Sequence, residues 1–77
     1  MENSQRIDYL AEKWVQRKLH SLIIDGYVVL HRHVQVAPNN FVWILKNKKG
    51  KELKIRQNLN VISIENKHKV IHVEIIK

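Results

Sequence analysis

Residues 41–76 read FVWILKNKKGKELKIRQNLNVISIENKHKVIHVEII, and apolar residues alternate with polar ones along most of this stretch. A period of two is typical of β-strands that bury only one face of their sheet. The alternation is interrupted at 47–50, 58–59 and 67–68, and we interpret these segments as turns. The stretch therefore predicts four consecutive antiparallel strands, near residues 41–46, 51–57, 60–66 and 69–76.

The segment Asn47-Lys48-Lys49-Gly50 suits a type I turn, with Asn at its first position and Gly at its fourth. A left-handed Gly50 would give a three-residue hairpin loop with a bulge. This turn predicts a definite register, because it places Leu45 opposite Leu53 and Trp43 opposite Ile55.

Two-residue turns at 58–59 and 67–68 extend the pairing to the remaining strands. The first would pair Ile55 with Ile62 and Leu53 with Ile64, and the second would pair Ile64 with Ile71 and Ile62 with Val73. Upstream, a strand at 27–36 followed by a loop at 37–40 would pair Val34 with Trp43 and Val36 with Phe41. One face of a five-stranded meander then collects nearly all the large apolar groups.

The N-terminal segment has a different period. Apolar residues recur every three to four positions, which predicts one amphipathic helix at about 5–24. Ser4 is a plausible N-cap, and Gly26 stands where a left-handed residue would end the helix. The predicted apolar stripe comprises Ile7, Leu10, Ala11, Trp14, Val15, Leu19, Leu22 and Ile23.

These elements predict a single α+β domain over residues 1–77, with one N-terminal amphipathic helix packed on a five-stranded antiparallel β-meander. A helix followed by five strands resembles the Sm/Hfq architecture in outline. Closed small barrels need glycines or bulges at their corners, whereas the only glycines here, Gly26 and Gly50, lie in turns. We therefore expect an open, twisted sheet rather than a closed barrel.

Charge is distributed unevenly along this basic chain. The formal net charge is +7, and residues 27–77 carry all of it, because the charges of residues 1–26 cancel. There is no cysteine, which excludes disulfides and thiolate metal sites. No apolar run reaches the length of a membrane span, and the N-terminus lacks the apolar core of a signal peptide. We expect a cytoplasmic protein without membrane contact.

A cluster of cations within residues 46–56 is the main functional signal. Spaced cations on a hairpin can neutralise phosphates and release their counterions, which predicts a small non-enzymatic domain that binds DNA or RNA through the phosphate backbone. Lysines at a sheet edge can also serve to discourage aggregation. The candidate nucleic-acid-binding residues, on this hairpin and on the predicted outer sheet face, are Lys46, Lys48, Lys49, Lys51, Lys54, Arg56, His31 and His33.

Metal and catalytic chemistry have little support. His31 and His33 have a spacing that suits chelation, but zinc needs further ligands, so we predict no metal and no cofactor. The helix and the strands up to Arg56 resemble in outline the core of PD-(D/E)xK nucleases. The positions of that family's metal ligands hold Val42 or Trp43, Lys54 and Arg56. We therefore predict that the chain is not an enzyme.

A second class of function fits the same sequence. Four apolar residues, Val42, Ile44, Val61 and Val70, interrupt the predicted outer face of the sheet. A domain of this size also has modest stability alone, and small domains often gain stability from a partner. The alternative prediction is a protein–protein interaction module, such as a small regulator or inhibitor, possibly a homodimer.

Overall fold

A computed structural model describes the backbone of residues 2–77 and the side chains of residues 9–77. One helix precedes a five-stranded antiparallel sheet whose strands lie side by side in chain order. The sheet is open and not closed into a barrel, so the predicted fold class is confirmed. The elements are α1 (Glu2–Ile24), β1 (Val28–Ala37), β2 (Asn40–Lys46), β3 (Glu52–Asn58), β4 (Val61–Asn66) and β5 (Lys69–Ile75).

The helix begins earlier than predicted and ends where predicted. Its backbone includes Ser4, and the predicted capping hydroxyl of that residue lies outside the described side chains, as does Ile7. At the other end the Gly26 amide donates to the Ile23 carbonyl, and the Tyr27 amide donates to the Leu22 carbonyl, each at 3.0 Å. These two bonds form a Schellman motif, for which Gly26 supplies a φ of 103°.

The core lies between one face of α1 and the central three strands. Not every residue of the predicted apolar stripe is buried in this core. Trp14 is half-buried, and Ile23, which was predicted to face the core, is exposed. Among the described residues, no helix is long and apolar enough to cross a membrane. The buried apolar side chains that form the core are Ala11, Val15, Leu19, Leu22, Trp43, Leu45, Leu53, Ile55, Ile62 and Ile64.

The register of the β2–β3 hairpin is confirmed. Trp43 lies opposite Ile55 and Leu45 lies opposite Leu53. The next hairpin turns one residue later than predicted, at Leu59-Asn60, so that Ile55 pairs with Ile64. A shift of two in the pairing keeps every side chain on its predicted face, because the strand period is also two.

The longer β3–β4 ladder buries a polar residue. Gln57 lies opposite Ile62 and is only 7% exposed. Its side-chain amide donates to the Leu59 carbonyl at 3.3 Å, which satisfies one of its donors inside the turn. The predicted pairing of Ile55 with Ile62 is therefore wrong, because Gln57 takes the place opposite Ile62.

The β4–β5 turn lies at Lys67-His68 as predicted, but a register irregularity follows it. Glu65 pairs with Val70 and Ile64 pairs with His72, which leaves Ile71 as the extra residue of a β-bulge. The prediction that Ile71 and Val73 face the core is therefore wrong. His72 takes that side instead, where its ring stacks on Trp14 at 5.9 Å.

Strand β1 departs most from the prediction. A two-residue turn at Pro38-Asn39 replaces the expected four-residue loop, and three register shifts interrupt the β1–β2 ladder. Val34 pairs with Val42, not with Trp43 as predicted, and Gln35 takes the place opposite Phe41 that was predicted for Val36. Both valines are exposed on the outer sheet face.

Candidate polyanion-binding site

The order of the strands brings two hairpin turns to the same end of the sheet. In an antiparallel meander, successive turns alternate between the two ends. The β2–β3 turn at 47–50 and the β4–β5 turn at 67–68 therefore lie at one end, together with the C-terminus of α1 and the start of β1. The turns at 38–39 and 59–60 lie at the opposite end.

The first of these turns is held by its own hydrogen bonds. The Asn47 side-chain oxygen accepts from the amides of Lys49 at 3.0 Å and Lys51 at 2.9 Å. The Gly50 amide donates to the Asn47 carbonyl, and Gly50 has a φ of 85°, as the predicted type I turn with a bulge requires. The turn therefore holds the backbone of its lysines in a defined conformation.

The second turn has a different geometry. Both of its central residues are left-handed, with a φ of 50° at Lys67 and 68° at His68, as a type I′ turn requires. Both side chains are exposed, and exposed Lys69 follows at the start of β5. We call the resulting cationic surface the lysine end, and it consists of Lys46, Lys48, Lys49, Lys51, Lys67 and Lys69, all of them exposed.

Few acidic groups oppose these six lysines. Glu52 pairs across β2–β3 with Lys46, and Asp25 lines a shallow depression beside the first turn. Glu65 lines a further depression with Lys67 and His68. Three carboxylates against six ammonium groups leave an excess of three positive charges at the lysine end. Its side chains extend into solvent, where counterions and phosphates can approach them.

The outer sheet face is less cationic than the sequence suggests. Arg56 Nε lies 3.3 Å from Glu65 Oε2, and Lys54 pairs across the ladder with the same Glu65. Both cations are only half-exposed. Lys54 and Arg56 therefore lie beside a carboxylate that offsets part of their charge.

The two candidate histidines lie on opposite faces of the sheet. His31 is exposed on the outer face near Val34 and Ile44. His33 has a left-handed φ of 49° and stacks on Phe41 with 4.2 Å between the ring centroids. The prediction that both share the outer face is wrong, because the irregularities of β1 reverse the direction of His33.

His33 instead contributes to a small cleft of about 200 Å³ at the end opposite the lysines. Phe41 and Gln57 also line this cleft, with Glu12 of the helix on one side. Among the described residues, no group of three His, Asp or Glu side chains is placed to hold a metal ion. His33 is therefore separated from the lysine end by the length of the strands.

Most aromatic side chains are remote from the lysine end. Tyr27 lies at this end, between α1 and β1, but it is half-buried against the core. Tyr9 is exposed on α1, but it precedes the end of the helix by 15 residues, or roughly 22 Å at 1.5 Å per residue. Trp14 and Phe41 lie on the inner side of the sheet and are half-buried. The lysine end therefore offers mainly charge to a ligand, together with the exposed ring of His68 in its second turn.

The structure brings together part of the predicted site and adds to it. Lys46, Lys48, Lys49 and Lys51 lie at one end as the sequence indicates, whereas Lys54 and Arg56 lie farther along the outer face. Sequence reasoning missed the contribution of Lys67 and Lys69. The alternation of turns in a predicted meander was the signal that could have found them.

Comparison with protein-family models, curated proteins and solved structures gives no match.

Proposed function

We propose that this domain is a non-enzymatic nucleic-acid-binding protein that contacts the phosphate backbone through the lysine end. The observation that carries the proposal is the convergence of six exposed lysines from two hairpins, with three nearby carboxylates, those of Asp25, Glu52 and Glu65. Neutralising phosphates with lysines releases condensed counterions, which supplies most of the free energy of non-specific binding.

The spacing of the two hairpins suits an extended polyanion. Strands β2 and β5 are three places apart in the sheet, which corresponds to about 14 Å at about 4.8 Å per strand. Duplex DNA carries phosphates at every 3.4 Å of axis on each strand, so this width covers about four steps. An extended backbone can therefore contact both hairpins at the same time.

The chemistry of the lysine end favours contact without sequence readout. Lysine binds phosphate as a flexible point charge, whereas base recognition needs groups that reach base edges or stack on bases. Tyr9, Trp14 and Phe41 lie elsewhere on the domain. We expect weak, strongly salt-dependent binding with little preference among sequences, in the range typical of non-specific complexes, about 10⁻⁴–10⁻⁶ M.

The test compares two triple charge reversals by salt titration against short duplex DNA and single-stranded RNA. The first variant changes the lysine end and carries Lys48→Glu, Lys49→Glu and Lys51→Glu. The control variant makes the same change in net charge at exposed positions elsewhere and carries Lys13→Glu, Arg17→Glu and Lys77→Glu. Six phosphate contacts would give the wild type a log–log salt slope of about −5 on duplex DNA.

The lysine-end variant should lose about three contacts, and its slope should fall to about half that of the wild type. Equal losses from both variants would indicate a diffuse effect of net charge and would contradict a localised site. Absence of wild-type binding at about 50 mM salt, where electrostatic binding is strong, would refute the function. The lysines would then serve solubility and offset the partial negative charge at the C-terminus of α1.

A second function, as a protein-interaction module, is favoured by a separate observation. Large apolar side chains are exposed along both edge strands, including Val28 and Leu30 on β1 and Val73 and Ile75 on β5. Extended apolar surface is a common mark of a protein interface. The same domain can carry both an interface and a cationic end, because the apolar edge of β5 from Val73 to Ile75 leads away from the lysine end.

A further inference from the structure

The free edge of β5 is an exposed apolar strand segment whose pairing with β4 is regular from His72 to Ile75. Ile71, Val73 and Ile75 are each exposed by slightly more than half. After the bulge at Ile71, the pairing with β4 continues without interruption from His72 to Ile75. An exposed, regular and apolar edge strand is the kind of surface on which another strand adds.

The direction of the β5 backbone groups can be read from the structure. The Ile76 amide donates to the Asn60 carbonyl at 2.9 Å, so it points towards β4. Backbone groups alternate in direction along a strand, so those of Glu74 also point towards β4, while those of Val73 and Ile75 point to the free edge. Val73 therefore presents both an amide and a carbonyl to a new strand.

The opposite edge of the sheet is protected against strand addition. Three register shifts interrupt β1, and His33 has a left-handed backbone in its middle. Bulges and local twists of this kind are a known means by which proteins prevent pairing at a sheet edge. A second chain can therefore extend a straight ladder on β5 but not on β1.

We propose that a second copy of this chain pairs with β5, by a two-fold antiparallel arrangement centred on Val73, to form one continuous sheet. In this register Val73 exchanges both hydrogen bonds with Val73 of the second copy, as a central antiparallel pair does. Ile71 of each copy lies opposite Ile75 of the other. Apolar side chains thus meet apolar side chains on the outer face of the combined sheet.

The same register places hydrogen-bonding partners opposite each other on the inner face. His72 of one copy lies opposite Glu74 of the other, and the symmetry repeats this pair. Within one chain His72 Nε2 already lies 3.1 Å from Glu74 Oε1, and both side chains remain partly exposed. A two-fold interface requires each contact to occur twice, and this pairing fulfils that requirement.

The exposed area is also consistent with a dimer. The single chain exposes 5660 Å², whereas a folded monomer of 9.2 kDa is expected to expose about 4,900 Å². The chain therefore exposes about 700 Å² more surface than is usual for a folded monomer of its mass. Pairing through β5 would cover apolar surface that the open sheet otherwise leaves in water.

The test measures the mass of the full chain in solution by sedimentation equilibrium across a wide concentration range. The wild type should reach twice the chain mass of 9.2 kDa and go no higher. Val73→Lys should shift the equilibrium towards the monomer by roughly tenfold or more, because it replaces a central apolar contact with two facing like charges.

Val36→Lys is the matched control. Val36 is 53% exposed on the β1 edge, compared with 52% for Val73 on the β5 edge, and the substitution adds the same charge. Circular dichroism checks that each variant is folded. A dimeric Val36→Lys variant beside a monomeric, folded Val73→Lys variant supports the proposal.

Three results would overturn it. The first is a wild type that stays monomeric at every concentration, and the second is a Val73→Lys variant that dimerises as the wild type does. The third is a mass that keeps rising beyond the dimer, which would indicate open-ended association. Each result is independent of nucleic-acid binding, because the lysine end contains none of the residues from Ile71 to Ile75.

Discussion

Neutralising the second hairpin tests whether the cationic site is the β2–β3 hairpin or the whole end of the sheet. The change is Lys67→Gln together with Lys69→Gln, which removes two ammonium groups while keeping side chains of similar reach. Both residues are exposed, so the fold should be preserved. Lys67 is already left-handed, with a φ of 50°, and glutamine should be no more strained there than lysine.

The expected magnitude follows from the number of contacts. Each lost phosphate contact lowers the log–log salt slope on duplex DNA by about 0.9, so the pair should lower it by about 1.8. The affinity ratio of wild type to variant should then shrink by roughly 12-fold between 50 and 200 mM salt. A binding isotherm at several salt concentrations, followed by fluorescence anisotropy of labelled duplex, measures this ratio.

The matched control is Lys13→Gln with Arg17→Gln, which removes the same charge from exposed positions on α1. Its slope should stay near that of the wild type. A Lys67/Lys69 variant with an unchanged slope would show that the phosphates contact only the β2–β3 hairpin. The reasoning from alternating turns would then be refuted, even if nucleic-acid binding itself persisted.

Three further predictions concern stability and chemistry. Trp43→Ala should lower the free energy of unfolding, measured in urea, by about 3–5 kcal/mol, because Trp43 is only 1% exposed. The same change at half-buried Trp14 should lower it by less. A loss below about 1 kcal/mol at Trp43 would contradict its core position. Gly26→Ala should lower the free energy of unfolding by about 1–2 kcal/mol. The cause is the backbone φ of 103°, because an added Cβ would meet no other atom within 4 Å. An unchanged stability would show that the Schellman turn tolerates alanine. Purified protein should not cleave nucleic acid with magnesium or manganese, and cleavage lost on mutating a carboxylate would reverse that conclusion.

Much of the fold could be predicted because its local signals agree with one another. The left-handed Gly26 indicates the observed end of the helix, and the turn chemistry of Asn47 and Gly50 indicates the observed β2–β3 turn. The helix period gives the element itself but not its start, which lies earlier at Glu2. In the β2–β3 hairpin, a well-defined turn and apolar alternation fix the register together. Between β3 and β4 only the apolar alternation was available. It predicted correctly which side chains share a face, but the predicted pairing differs from the observed one by two residues.

The errors arise from bulges, which a period of two cannot reveal. An extra residue at Ile71 reverses the faces of the following strand, so that His72 lies towards the helix and Val73 lies outside. The same effect at His33 separates it from His31, which removed both the shared face and the spacing for chelation. Neither bulge contains a glycine or proline that would mark it in the sequence.

The candidate site shows a related limit. The cations of residues 46–56 are neighbours in sequence, and their clustering is therefore visible without a structure. Lys67 and Lys69 lie near these cations only because the meander brings its two turns to the same end of the sheet. The carboxylate of Glu65 on β4 offsets part of the positive charge of Arg56 on the adjacent strand β3. Long-range pairing decides both outcomes, and composition alone does not encode it.

The lysine end places six exposed ammonium groups together at one end of the strands. Long-range electrostatic attraction should therefore orient the domain before it contacts a polyanion. The lysine end should face the polyanion, and the opposite, trailing turns should point away from it. Asn39 and Leu59 lie in those trailing turns, linked by a backbone hydrogen bond of 3.3 Å. A spectroscopic probe attached there would remain in solvent and report the tumbling of the complex without competing for the phosphates.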